Sequence, residues 1–267
     1  MKKRWILLIL AVLIGWTLWA NTAIEVNEWV IDSGKLPESF DGFRIAQVSD
    51  LHNAEFGVEN EKLLALLAEC GPDIIVLTGD LVDSSKTDIA VALDFAERAA
   101  EIAPCYYVSG NHEAASGQWP ELQQGLTAAG VTILQDGGIT LERDDGQITL
   151  IGLSDPSFGA DSARILEDWT GGENYTILLS HRPELLRFYA GYGIDLVFSG
   201  HAHGGQFRIP FVGGLVAPGQ GFFPEYDSGL YRSGTTAMLV SRGLGNSIIP
   251  IRINNRPEII LAVLKTA

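Results

Sequence analysis

The sequence predicts an α/β fold in which two packed sheets carry helices on their outer faces. Three observations support this. Strand-length apolar runs alternate with helix-length amphipathic runs over residues 43–109, the pattern of a parallel sheet with crossover helices. Polar residues close successive strand-like runs at Asp50, Asp80 and Asn111, about thirty residues apart, the usual length of a strand–helix–strand unit. Beyond residue 130 the pattern changes to short strands joined by hairpin signals, which adds a second set of pairings to the first.

Residues 25–42 read as a connecting region, with an edge strand near 24–31 and turn signals at Ser33-Gly34 and Pro37. Residues 43–49 and 74–78 are strands, and between them residues 60–70 carry leucines at 63, 64, 66 and 67 before a Gly71-Pro72 stop. Residues 87–103 repeat the helical pattern, with Thr87 as N-cap and Pro104 as the stop. A strand at 106–109 and a helix at 121–129, ended by Gly130, follow. Residues 131–134, 139–142 and 147–153 are short strands, the last two joined through Asp144-Asp145-Gly146. Next come a short helix at 164–169, a strand at 175–179, a helix from Pro183 to residue 190 and a strand at 194–198. Residues 206–209, 236–240 and 258–263 complete the strands. Right-handed crossovers put the ends of parallel strands on one edge, so Asp50, Asp80 and Asn111 are expected at the carboxyl edge, where open α/β sheets bind ligands.

At 267 residues, 46% of them hydrophobic, the chain is long enough for one large core. A formal net charge of −15 lacks the basic footprint of a nucleic-acid-binding surface. No nucleic acid is expected as a partner, and no protein partner is inferable. Cys70 and Cys105 have no Cys-x-x-Cys spacing and are expected as buried thiols. At the N-terminus Lys2, Lys3 and Arg4 precede an uncharged stretch that reaches Ile24, with residues 5–20 apolar. This stretch has no polar face and no clean small-x-small cleavage site, and its positive flank belongs on the cytoplasmic side. Residues 1–24 are therefore expected as a single-pass signal anchor in the cell membrane, 25–42 as a linker and 43–267 as an extracytoplasmic catalytic domain.

All five histidines lie in short polar clusters at the ends of apolar runs: His52 in Asp50-Leu51-His52, His112 in Gly110-Asn111-His112-Glu113, His181, and His201 and His203 in Gly200-His201-Ala202-His203-Gly204-Gly205. Gly79-Asp80-Leu81-Val82-Asp83 adds two carboxylates. Imidazole, carboxylate and one amide together are what hard-to-borderline divalent metals select. If the backbone stays extended, Asp50 and His52 share a face. Asp80 can bridge two cations about 3.5–4 Å apart. Taken singly, each cluster has a plain structural reading: a solvated turn at Asp50 or Asp80, a helix cap at Asn111, a core histidine at His181. Jointly they would require five coincidences at aligned strand ends.

The ordered set Asp-x-His, Gly-Asp-x-x-Asp, Gly-Asn-His-Glu, His and Gly-His-x-His, spanning Asp50 to His203, resembles the calcineurin-like metallophosphoesterase superfamily, and the late glycine-rich stretch resembles a bacterial membrane-associated, phosphodiesterase-like branch. The resemblance implies a four-layer αββα sandwich of two mixed β-sheets flanked by helices. It implies two divalent metal ions, of manganese, iron or zinc, one held by Asp50, His52, Asp80 and His203 and the other by Asp80, Asn111, His181 and His201. It further implies attack by a metal-bound hydroxide on phosphorus, with His112 protonating the leaving group and Asp83 holding the other nitrogen of His112. Ser84-Ser85 stands where the related phosphoprotein phosphatases carry Arg-Gly, which argues against their phosphate clamp. The expected substrate is a phosphodiester or phosphomonoester, and the anchor makes an envelope or lipid-linked compound attractive. A non-catalytic metal-stapled binding module and an exported nuclease are the alternatives. Arg182, next to His181, could reach a substrate phosphate, but is expected instead as an exposed guanidinium. Phe211 and the Phe222–Tyr226 segment are expected to be packed inside rather than to form an apolar lip at the cleft.

Overall fold

A computed structural model describes residues 2–267, apart from the side chains of residues 2–4, 6, 8 and 13. In chain order the elements are α1 (Lys2–Thr22), β1 (Glu25–Ser33), β2 (Arg44–Val48), α2 (Glu61–Glu69), β3 (Ile74–Thr78), α3 (Ile89–Ile102), β4 (Cys105–Val108), α4 (Asn111–Ser116), α5 (Trp119–Ala128), β5 (Thr132–Ile133), β6 (Gly137–Arg143) and β7 (Gly146–Leu153). There follow α6 (Ser162–Trp169), β8 (Tyr175–Ser180), α7 (Leu186–Ala190), β9 (Leu196–Ser199), the hairpin β10 (Arg208–Ile209) with β11 (Gly213–Gly214), the hairpin β12 (Val216–Ala217) with β13 (Gly221–Phe222), and then β14 (Gly229–Ser233), β15 (Thr236–Val240) and β16 (Glu258–Thr266).

Two six-stranded mixed sheets form the body, with strand orders β1-β16-β2-β3-β4-β5 and β14-β15-β9-β8-β7-β6. The face each residue takes follows the two-residue period of a strand. In β3, Ile75 and Leu77 face the helices, and Ile74 and Val76 face the other sheet. Strands buried on both faces read as continuous apolar runs, which is why β3 was legible to the residue. Leu63 and Leu67 of α2, Phe95 and Ala99 of α3 and Leu122 of α5 cover the first sheet. Ile45, Val76 and Val108 meet Leu150, Ile177 and Phe198 between the sheets. Leu166 of α6 and Leu186 and Tyr189 of α7 cover the second sheet. The fold is thus the expected αββα sandwich.

Local differences from the sequence reading have local causes. Asp88 rather than Thr87 caps α3, accepting from the Ala90 amide, while the Thr87 hydroxyl donates to the Asp83 carbonyl. The helix after Pro183 opens as a 3-10 turn, Pro183–Leu185, before α7 begins. Residues 25–33 are not a free linker, because β1 pairs with β16 along its whole length. β16 runs parallel to β1 and antiparallel to β2, inserted between them. Cys70 and Cys105 are free and buried.

The expectation of a single-pass anchor with an extracytoplasmic domain is corrected. Among the described residues, no helix is long and apolar enough to cross a membrane. α1 opens on three basic residues and ends on Asn21 and Thr22. Its apolar run, residues 5–20, rises about 24 Å at about 1.5 Å per residue, short of a hydrocarbon layer of about 30 Å. The last turn of α1 is instead tied to the C-terminal segment. Asn21 donates to the Arg252 carbonyl at 3.0 Å and accepts from its amide at 2.7 Å, and the Arg256 guanidinium lies 4.7 Å from the Trp19 ring centre.

Candidate metal centre

The cleft is made where parallel strands of both sheets end. Asp50 follows β2, Asp80 follows β3, Asn111 follows β4, His181 follows β8 and His201 follows β9. The backbone there is not extended, as the sequence argument assumed. Asp50 (φ 53°), His52 (φ 47°), Asp80 (φ 53°), His201 (φ 66°) and His203 (φ 48°) all take the left-handed conformation, which costs a residue with a side chain about 1–2 kcal/mol. Such strain gathers at functional sites when surrounding bonds over-determine it. Here the Asp50 and His52 amides donate to the carbonyls of Gly79 and Asp80, each at 3.0 Å, and the Gly245 amide donates to the Asp50 carbonyl at 2.7 Å. Gly110 is required by close approach, since a Cβ there would collide with Asp80 Oδ1.

All seven residues expected as ligands converge. His203 Nε2 lies 3.5 Å from Asp50 Oδ1 and 3.3 Å from His52 Nε2. His181 Nε2 lies 3.1 Å from Asp80 Oδ2 and 3.2 Å from His201 Nδ1. Asp50, His52 and His203 form one group of donor atoms within 4.8 Å of one another, and Asp80, His181 and His201 form a second. His52 Nε2 reaches Asp80 Oδ2 at 3.7 Å, which links the two groups. Asn111 Oδ1 is buried and makes no hydrogen bond. A buried oxygen left in this way is expensive and fits a hard cation. His181 Nδ1 is 2.7 Å from the Thr78 carbonyl, which holds a proton there, so that Nε2 is the atom that would ligate a cation once the proton it shares with Asp80 is displaced.

Charge in the site is arranged for cations. Burial pushes the Asp50 carboxyl up to about 6. Burial also pushes Asp80 up, but His181 and His52 outweigh it and hold Asp80 well below the usual range. Burial alone would lower His181, yet Asp80 and Asp50 raise it to about 10. Burial lowers His52 to about 4 and His201 to about 2, and puts His203 well below its ordinary value. Three imidazoles are thus neutral, the form in which they bind metal, whereas His181 holds a second proton against Asp80 that a bound cation would displace.

His112 lies on the cleft wall. Its Nδ1 accepts the Ser84 amide at 3.0 Å, and its Nε2 is 3.3 Å from Ser247 Oγ. Asp83 Oδ2 stands 3.7 Å from His112 Nδ1 and 3.6 Å from His52 Nδ1, while Oδ1 accepts from the Ser85 amide.

Two side chains at the site, Glu113 and Arg252, were not singled out by sequence reasoning, and a third, Arg182, was misread. Glu113 is buried, and its carboxylate accepts the amides of Asp80, Leu81 and Gly110 at 2.7–2.8 Å; burial and then Asp80 raise it to about 7. Its place in Gly-Asn-His-Glu was the only signal. Arg182 is not an exposed guanidinium. Its side chain is only 18% exposed, because a fully buried Asp155 accepts both Nε and Nη2. Its Nη1 is 2.9 Å from His201 Nε2. Arg252, fully buried, donates to the carbonyls of Arg242 at 2.7 Å and Gly245 at 2.5 Å and so holds the loop behind Asp50.

Comparison with known proteins agrees with this geometry. Residues 43–205 match the model of the calcineurin-like phosphoesterase family. The chain is 34% identical to the uncharacterized metallophosphoesterase YkuE of Bacillus subtilis (strain 168) over 250 residues, covering 91% of this chain and 86% of that one. It is 30% identical to the phosphodiesterase YaeI of Escherichia coli (strain K12), covering 83% of this chain and 82% of that one. Among solved structures, TT1561 of Thermus thermophilus superposes with a TM-score of 0.53 at 14% identity, over 76% of this chain and 90% of that one, which shows a shared fold. With its motifs gathered at the carboxyl ends of two sheets, the chain belongs to the calcineurin-like phosphoesterases and is a metallophosphoesterase, a hydrolase of phosphoric esters.

Proposed function

We propose that the chain hydrolyses phosphodiesters or phosphomonoesters at a pair of divalent cations, one held by Asp50, His52, Asp80 and His203 and the other by Asp80, Asn111, His181 and His201. The observation that carries this reading is Asp80 Oδ2, a buried oxygen that faces both groups of donor atoms, 3.7 Å from His52 Nε2 and 3.1 Å from His181 Nε2. A shared carboxylate is what two adjacent cations need. When bound, such cations lower the pKa of water and neutralise charge on the phosphoryl oxygens. The residues of the chain supply the rest. His112 presents Nε2 to the leaving oxygen, Asp83 accepts a hydrogen bond from Nδ1–H when the ring is an imidazolium, and Arg182 aims a guanidinium at the phosphate from beside His201. The expectation of an envelope substrate rested on the anchor and goes with it.

The test is metal analysis of the purified chain together with hydrolysis of aryl mono- and diesters in manganese, iron and zinc. Two bound metals per chain and metal-dependent turnover are expected. Absence of turnover in every combination would overturn the reading.

A further inference from the structure

We infer that this cleft takes a phosphoester bearing a long hydrocarbon chain, with the phosphate at the metal ligands and the chain along an exposed apolar wall. The inference rests on the phosphoesterase reading above and names its substrate class.

The cavity lining joins two kinds of surface: Asp80, Asn111 and His112 of the metal centre, and the apolar Val216, Pro218 and Ile248. Its volume of about 310 Å³ is at the small end for ligand sites. It has room for a head group and the first few carbons, so a longer tail has to leave over the rim. That rim is apolar. Phe222 pairs with Val216 across the β12–β13 hairpin, and directly paired residues share a face. Phe222 is nevertheless 75% exposed and Ile248 92% exposed. Phe211 and Val212, in the β10–β11 hairpin, are exposed as well. The packing expected for Phe211 and Phe222 from the sequence is therefore absent, whereas Tyr226 is buried as expected, and at Phe222 the lip reading is the one that fits.

Two further observations point to a hydrocarbon. The wall is held from behind: Gln206 donates to the carbonyls of Ile249 at 2.9 Å and Ile251 at 2.7 Å, and the Phe223 amide donates to the Leu215 carbonyl at 2.9 Å. Fixed backbones thus present apolar side chains to water, and contiguous exposed apolar surface marks a binding site. The two segments that form the wall also carry no charge of their own, although the Glu184 carboxylate reaches the wall at Gly219. Residues 209–224 and 243–251 contain no Asp, Glu, Lys or Arg, in a chain that is 19% charged. A nucleotide would find no basic side chain on these two segments, whereas each methylene laid on the wall strengthens binding by about fourfold if fully buried.

The probe is a series of 4-nitrophenyl alkyl phosphodiesters, from methyl to dodecyl, used below their micelle concentrations. The expected result is a rise in kcat/KM of at least about tenfold along the series. Ile248→Ser and Phe222→Ser should each reduce the dodecyl-to-methyl ratio towards one. A flat wild-type series overturns the inference and leaves the phosphoesterase reading standing. If no ester is turned over, that reading fails, and calorimetry with alkylphosphonates of the same lengths still decides about the wall: length-dependent affinity supports it, and length-independent or absent binding overturns it. A flat series with a wild-type dimer that Ile248→Ser splits in sedimentation would assign the wall to a second copy of the chain, and would equally overturn the inference.

Discussion

The Ser84 backbone N–H donates to His112 Nδ1 over 3.0 Å, so the neutral ring carries its proton on Nε2, the nitrogen near the cleft. A ring that is to give up a proton must first hold two. The second belongs on Nδ1, where it displaces the Ser84 amide and turns to Asp83 Oδ2, 3.7 Å away. His112→Ala should lower kcat by about a hundred- to ten-thousand-fold with metal content intact. Asp83→Asn replaces a charged acceptor by a neutral amide and should lower kcat by up to about ten- to hundredfold, the worth of a hydrogen bond to a charged group. Steady-state kinetics beside metal analysis separates the two, because Asp83 also stands 3.6 Å from His52 Nδ1.

Asp80→Asn should empty both metal positions, since one oxygen lies among both donor groups. Asn111→Ala removes a donor from one group only and should leave the other metal in place. Stoichiometry by elemental analysis checks this, and two metals retained in Asp80→Asn would disprove the shared role.

Arg182 is held by Asp155 with Nη1 at 2.9 Å from His201 Nε2. Arg182→Ala should raise KM for aryl phosphates by about ten- to hundredfold, the loss of one charge-assisted hydrogen bond. Arg182→Lys should not rescue it, because a point charge cannot keep both bonds to Asp155 while reaching the cleft.

The same pair gives an acid-stability signature. Burial pushes Asp155 up, but Arg182 and Ser157 outweigh it, so its folded value lies below the ordinary 3.8. A carboxyl lowered on folding adds stability above its unfolded value and loses it as pH falls through the folded one. The gap in Tm between the wild type and Asp155→Asn should therefore be full at neutral pH and close below about pH 4, as thermal melts across pH would show.

Glu113→Gln leaves amides of Asp80, Leu81 and Gly110 facing a side chain with half the acceptor capacity and an NH2 of its own. Each buried amide left unpaired costs about 1–3 kcal/mol, and a loss of about 2 kcal/mol lowers Tm by roughly 4–8 °C in a chain of this size. Differential scanning calorimetry would measure the change.

The ligand residues were legible because chemistry at strand ends needs particular side chains at short range, next to glycines that let backbones meet. Asp50-x-His52 and His201-x-His203 are local in sequence and local in space. Arg182 was misread because its fate is set by Asp155, a residue in another loop whose burial no local pattern announces. β14 escaped notice because Gly229–Ser233 begins on glycine and is only half-buried. α4 is six residues long, too short to show a period. The left-handed backbone at Asp50 and His52 has only a weak signature in residue type, since aspartate and histidine are enriched at positive φ but take ordinary angles far more often.

The insertion of β16 between β1 and β2 also sets an order of events for a chain made from its N-terminus. β2, β3 and β4 can pair as soon as their crossover helices are complete, whereas β1 has no partner until Glu258 and the residues after it emerge. The earliest strand is thus the last to be placed, and pairings this distant in sequence are slow to form. Until then β1 is an unpaired edge joined to an apolar helix, the kind of surface on which nascent chains aggregate, so the interval before β16 arrives is when this protein most needs a chaperone.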